Sequence, residues 1–76
     1  MTPQLPTSAE VLELHPRQRI VLVMVADGLT DQEIAKRLCR SQFTVRNHVH
    51  AIMRRLSIRR RELLVRAAVR AGLVPA

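Results

Sequence analysis

Residues 30–56 read TDQEIAKRLCRSQFTVRNHVHAIMRRL, and they decide the fold. Thr30-Asp31-Gln32-Glu33 has the form of a capping box. In it the Thr30 side chain accepts from the Glu33 backbone N–H, and the Glu33 carboxylate reaches back to the Thr30 N–H. Leu29 and Ile34 sit at the two positions of a hydrophobic staple. Asp31 and Glu33 fall in the first turn, where the helix dipole favours acids. A helix opened this way runs to about Leu38, barely two turns. Cys39-Arg40-Ser41 leaves room only for a tight turn, and Ser41 is an N-cap for a helix over Gln42–Leu56. There Val45, Val49, Ile52 and Leu56 recur at i, i+4, i+7 and i+11, the spacing of a buried stripe. Phe43, Arg46, Asn47, His50 and Arg54 fall on the opposite face. At 1.5 Å per residue this helix is about 22 Å long. A short capped helix, a turn of about three residues and a second amphipathic helix make a helix-turn-helix pattern. Its second helix is narrow enough for a DNA major groove about 12 Å wide, and its outward polar residues begin near its N-terminus.

Working outward, PRQRIVLVMVADG over residues 16–28 reads as a helix. Pro16 suits the first turn, where its missing N–H is no loss, and Gly28 suits the stop. Leu14, Val21, Leu22, Val25 and Leu29 form the inward stripe. Ile20, Val23 and Met24 lie partly outside it, either packed under the N-terminal tail or presented to RNA polymerase or a partner domain. On the other side, RRRELLVRAAVRAG over residues 59–72 reads as a last helix stopped by Gly72. It carries Arg61, Leu64, Val65 and Ala68 on one face, and Glu62, Arg66, Val69, Arg70 and Leu73 on the other. Residues 1–13 are read as an N-terminal tail, with at most a short turn over Ala9–Leu14 capped by Ser8, and residues 14–76 as the domain. The expected fold is all-α, a four-helix bundle.

The composition limits what such a domain does. The chain has 76 residues, one Cys, one Phe, and neither Tyr nor Trp. One thiol excludes an internal disulfide and a four-cysteine zinc site. No metal cluster, no phosphate-cradling loop and too little chain to enclose a pocket argue against an enzyme, and no cofactor is expected. His48 and His50, at i and i+2, point apart on a helix, so they make no metal pair. No apolar run approaches the ~20 residues of a membrane span, and no secretory signal opens the chain. The reading is a cytoplasmic, nucleoid-associated protein, and the initial Met and Pro-containing tail favour a stand-alone chain.

The charge is segregated. Residues 1–35 set two arginines against five acids, net −3, whereas residues 36–76 set eleven bases against Glu62 alone, net +10. Twelve of the thirteen bases are Arg, the residue suited to bidentate phosphate and guanine contacts. A basic half on a small globular domain points to a polyanion, nucleic acid before anionic membrane.

Three segments carry a resemblance: ADGLTDQEIAKRL, then S-x-x-TVRNHV-x-x-I-x-x-RL, then R-x-x-LLVRAAVRAGLV. From Leu14 to Val74, with no gap, the chain resembles the LuxR-type, or GerE-like, helix-turn-helix domain of NarL/FixJ response regulators. The resemblance implies a four-helix bacterial domain that binds double-stranded DNA, as a dimer, at inverted half-sites in promoters. It assigns base contacts to Arg46, Asn47 and His50, and phosphate contacts to Thr44 and Lys36. It puts a homodimer contact on the last helix, at Glu62, Arg66, Val69 and Arg70. His48, Arg54, Arg59 and Arg61 are added as backbone contacts on charge and position.

The chain also departs from the family pattern. His15 stands where Thr or Ser usually precedes the Pro, and Gln18 and Ile20 replace two acids. Arg40 replaces an apolar residue, Ser57 a Gly, and Arg60-Arg61 a capping Ser or Asn. These departures imply a less stable monomer or contacts supplied by a partner. Phe43 is expected to pack against neighbours or meet a thymine methyl, and Cys39 to be a small, semi-buried turn residue or a redox switch. Two other functions compete with a sequence-specific transcription regulator. One is a protein-interaction module for another regulator or RNA polymerase, motivated by the apolar excess of residues 20–24. The other is a promoter-recognition domain of the sigma-factor type, which fits TVRNHV less well.

Overall fold

The computed structural model describes residues 5–75, and among them the chain is all-helical. The helices are α1 (Ser8–Leu12), α2 (Pro16–Ala26), α3 (Asp31–Leu38), α4 (Gln42–Arg55) and α5 (Glu62–Arg70). α2 is the central element: it packs on α5, α4 and α3, while α3 packs on α4 and α1 on α5. The inward residues of all five meet in one apolar cluster, and no polar or charged residue among those described is buried. The cluster is made of aliphatic side chains, as a chain with one aromatic residue requires.

Each start has a local cause. Thr30 and Glu33 form the reciprocal box, at 3.2 Å for the Glu33 N–H to Thr30 Oγ1 and 2.9 Å for the Thr30 N–H to Glu33 Oε1. Ser41 Oγ accepts the Thr44 N–H at 3.0 Å. His15 does the work of the usual Thr or Ser. Its Nδ1 accepts the Arg17 N–H at 3.3 Å, and Gln18 Oε1 accepts the His15 N–H at 3.1 Å. The departures at positions 15 and 18 therefore compensate each other in a box of different chemistry.

The four longer helices end alike. Residues Gly28, Cys39, Ser57 and Gly72 all have positive φ, between 54° and 89°. In each case the next N–H bonds five residues back: Leu29 to Met24, Arg40 to Ala35, Ile58 to Met53, and Leu73 to Ala68. This is the Schellman arrangement, which satisfies the last carbonyls of a helix. Glycine takes that conformation freely, whereas an L side chain there costs roughly 1–2 kcal/mol. Cys39 and Ser57 bear this cost. Ser57→Gly is therefore expected to stabilise the domain by about 0.5–1 kcal/mol, several degrees in Tm for a chain of this size. A thermal melt checks it; an unchanged or lowered Tm would count against strain at this position.

The N-terminal segment corrects the sequence reading. Thr7, not Ser8, caps a helix over Ser8–Leu12, and Glu10 closes the box. Val11 is fully buried, Pro6 and Leu14 are buried, and Ser8 Oγ donates to the Arg70 carbonyl at 3.3 Å. A tail through residue 13 is thus replaced by a fifth helix folded onto α5. Five residues carry too little periodicity to announce a helix, and only the tertiary contact makes this one stable. Residues 1–4 of the expected tail lie outside the described part.

Candidate nucleic-acid interface

α3 is too short to be stable alone, and its position is fixed at both ends. Its start is fixed by the Thr30 box and by Arg61, whose Nη1 lies 2.6 Å from Asp31 Oδ1 and whose Nη2 donates to the Leu29 carbonyl at 3.5 Å. The Thr30 backbone N–H and hydroxyl hold the Glu33 carboxyl below its ordinary value. This cap is complete above the usual carboxylate range and is lost as pH falls through the lowered value. The end of α3 is fixed by the left-handed turn at Cys39. That turn swings the chain through Arg40 to Ser41, and α4 begins.

α4 buries Val45, Val49 and Ile52, half-buries Thr44, His48, Ala51 and Met53 at its flanks, and presents its outer face. Phe43, Arg46, Asn47, His50 and Arg54 are all exposed, and the helix carries no acid. Asn47, His50 and Arg54 line one shallow hollow of about 430 Å³ with Met53 and Ile58. Arg46 is exposed beside it on the Met53 flank of the helix. Thr44 and His48 are half-buried on the opposite flank. Ser41 Oγ donates to Thr44 Oγ1 at 2.9 Å, so the Thr44 hydroxyl proton is free to be donated outward. Phe43 is 68% exposed, so the expectation that it packs against neighbours does not hold. Cys39 is exposed rather than semi-buried, because the turn points it away from the core.

The other expected positions divide. Lys36, in the last turn of α3, and Arg59, beyond the buried Ile58, are exposed. Arg61 is engaged by Asp31 and half-buried, so its guanidinium is an intramolecular anchor rather than a free cation. Arg60 and Glu62 form an exposed pair at 3.6 Å, of a kind worth little. On α5, Val65 and Val69 are half-buried while Arg66 and Arg70 are exposed, and these four line a groove of about 360 Å³ with Leu5. Glu62 lies outside that groove. Ala67 is buried where the spacing put Val65.

Several roles escaped sequence reasoning. The Arg61–Asp31 pair and the bond from Arg55 Nη2 to the Glu13 carbonyl, at 3.1 Å, join residues 30 and 42 positions apart. No local pattern signals them. The His15–Gln18 box did have a signal, the i, i+3 spacing of a capping box.

A family described as "Bacterial regulatory proteins, luxR family" matches residues 12–68. The chain is 36% identical over 63 residues to the nitrate/nitrite response regulator protein NarL of Escherichia coli K12, covering 83% of this chain and 28% of NarL. It is 38% identical over 64 residues to the transcriptional regulatory protein LnrK of Bacillus subtilis, covering 84% and 29%. It is 35% identical over 65 residues to the probable transcriptional regulator ycf29 of Porphyra purpurea, covering 86% and 31%. The chain thus spans less than a third of the length of these curated relatives. No described helix is long and apolar enough to cross a membrane. With a helix-turn-helix whose second helix presents an acid-free polar face, and with that match over three-quarters of its length, the chain belongs to the luxR family of bacterial regulatory proteins.

Proposed function

We propose that this chain is the DNA-binding part of a sequence-specific transcription regulator and has no catalytic role. α4 enters the major groove, and two copies bind inverted half-sites. The observation that carries the reading is the outward face of α4: Arg46, Asn47, His50 and Arg54 exposed together on a helix without acids, held at its base by the Ser41 cap. Arg46 suits guanine O6/N7 and Asn47 suits adenine N6/N7. His50 donates or accepts next to them. Lys36, Thr44, His48, Arg54 and Arg59 meet phosphates. Arg61 acts one step back, by holding the start of α3. The site of action is the bacterial cytoplasm, at the nucleoid.

The test is the salt dependence of binding to duplex DNA, measured by fluorescence anisotropy. A protein that neutralises several phosphates loses affinity steeply as salt rises. A flat profile, or no binding at low salt, contradicts the reading.

The dimer is assigned to α5, through Val69, Arg66 and Arg70, with Glu62 at the edge. Val65 and Val69 are the apolar residues left half-covered there, and the arginines around them are free to pair with a second copy's Glu62. Val69→Asp is expected to leave half-site binding intact. It weakens binding to a two-half-site duplex by about 100-fold or more, the usual gain from linked sites. Unchanged cooperativity and unchanged sedimentation would refute this interface.

A second reading, a module that binds RNA polymerase or another regulator, has one observation in its favour. Leu12 and Ile20 are each 46% exposed. Met24 packs on the core and Val23 is half-buried, so the apolar excess is smaller than the spacing suggests.

A further inference from the structure

The outward face of α4 has an apolar residue at its leading end. Phe43 is 68% exposed, the most open of the large hydrophobic side chains among the described residues. A single exposed apolar side chain is ordinary on a protein surface, but the place of this one is not. Phe43, Asn47, His50 and Arg54 recur at i, i+4, i+7 and i+11. They form a stripe about 200° round the helix from the buried Val45, Val49, Ile52 and Leu56. Phe43 therefore stands in the middle of the outward face, in the first turn of α4. That turn is held in place: Ser41 Oγ accepts the Thr44 N–H at 3.0 Å and donates to Thr44 Oγ1 at 2.9 Å.

We propose that Phe43 reads a thymine, by packing its ring against the base's 5-methyl group in the major groove. The proposal rests on the reading of α4 as the major-groove helix, and it adds an apolar determinant of specificity to the polar Arg46, Asn47 and His50. A recognition helix meets base edges with its N-terminal residues, and side chains on a helix lean toward its N-terminus. The Phe43 ring thus leads α4 into the groove, ahead of Asn47 and His50.

The chemistry of the groove floor selects the base. A phenyl ring has no polar atom to offer the acceptors of guanine, the amino group of cytosine or the paired acceptor and donor of adenine. Covering those groups without a partner costs free energy. The apolar group on the floor is the thymine 5-methyl, and packing the ring on it removes both from water. Asn47 lies four residues on, about 6 Å along the helix, whereas base pairs rise by about 3.4 Å. The thymine is therefore placed within about two base pairs of the pair that Asn47 reads.

Deoxyuridine tests this, because it pairs as thymine does and lacks only the methyl. Each thymine of a duplex selected by the wild-type chain is replaced in turn, and binding of the wild type, Phe43→Ala and Phe43→Leu is followed by fluorescence anisotropy. Phe43 is no part of the apolar cluster, so an unchanged thermal melt is expected for both variants. At one thymine of each half-site the wild type should lose about 4-fold in affinity, the worth of one buried methyl. That position should lie within about two base pairs of the one at which Asn47→Ala relaxes discrimination. Phe43→Ala should bind the thymine duplex about 10-fold more weakly than the wild type, with no response to deoxyuridine at that position. Its salt slope should be that of the wild type, since no charge is lost. Phe43→Leu, smaller but apolar, should keep part of the methyl response. A wild type indifferent to every replacement overturns the contact, and so does a Phe43→Ala variant that keeps the response; in either case loss of discrimination in Arg46→Ala/Asn47→Ala leaves the α4 reading intact. Wild-type affinity of Phe43→Ala for every duplex overturns it too, and leaves the ring to a partner protein. A wild type that selects no sequence overturns the α4 reading and this contact together.

Discussion

Arg46→Ala/Asn47→Ala is expected to lower the preference for a selected operator over random DNA by roughly 10²- to 10⁴-fold, since each good bidentate contact is worth about 1–3 kcal/mol of discrimination. Both residues are exposed on α4 and neither side chain makes a hydrogen bond within the described chain. The fold should therefore survive, and the thermal transition should move by no more than about 0.5 kcal/mol. The two substitutions should also separate. Arg46→Ala removes a charge, so it relaxes discrimination at one base pair and weakens binding to any DNA slightly. Asn47→Ala removes no charge, so it relaxes discrimination at a different base pair with the salt slope unchanged. Competition binding with operator and random duplexes reads both. Retained discrimination in the double variant would sink the assignment of α4 as the reading helix.

Val11→Asp is expected to abolish cooperative folding. Val11 is fully buried, in a five-residue helix that lies on α5. An unpaired carboxylate there costs several kcal/mol, and a domain of this size holds only about 4–11 kcal/mol in total. Its neighbour supplies the control. Leu12 is largely exposed on the same helix, so Leu12→Asp should change stability by less than about 1 kcal/mol. Urea unfolding followed by circular dichroism distinguishes them. If both variants unfold like the wild type, α1 is a tail and not part of the core. The consequence reaches the DNA surface, because α1 packs on α5 and the Glu13 carbonyl just beyond it holds Arg55 of α4.

These two expectations mark where the sequence was readable. The α3–turn–α4 unit was legible because its information is local. Thr30 and Glu33 are three residues apart, Ser41 caps its own helix, and the stripe Val45, Val49, Ile52, Leu56 needs only helical periodicity. Gly28 and Gly72 were legible as stops for the same reason. Cys39 and Ser57 occupy the same left-handed conformation without the residue that announces it. α1 had one local signal, the Thr7 and Glu10 spacing of a capping box, but five residues are too few to show a period, and Val11 is buried where α1 packs on α5, 50 or more residues away.

The candidate surface divides in the same way. The outward face of α4 follows from spacing, so Arg46, Asn47, His50 and Arg54 were identifiable as a set. The basic run after α4 is uniform in sequence, yet its members differ once folded. Arg59 is exposed, Arg60 meets Glu62, and Arg61 holds Asp31. Nothing in the run distinguishes them, because the distinction lies in which residues of α3 come near.

The function proposed for α4 is to read DNA sequence in the major groove of paired half-sites. Selection of duplexes from a random pool by the wild-type chain tests it most directly. The expected result is enrichment of a pseudo-palindrome whose half-sites lie about one helical turn apart, or a multiple of it, and loss of that enrichment in Arg46→Ala/Asn47→Ala. A pool that stays random after repeated rounds, while the protein remains folded, would contradict it.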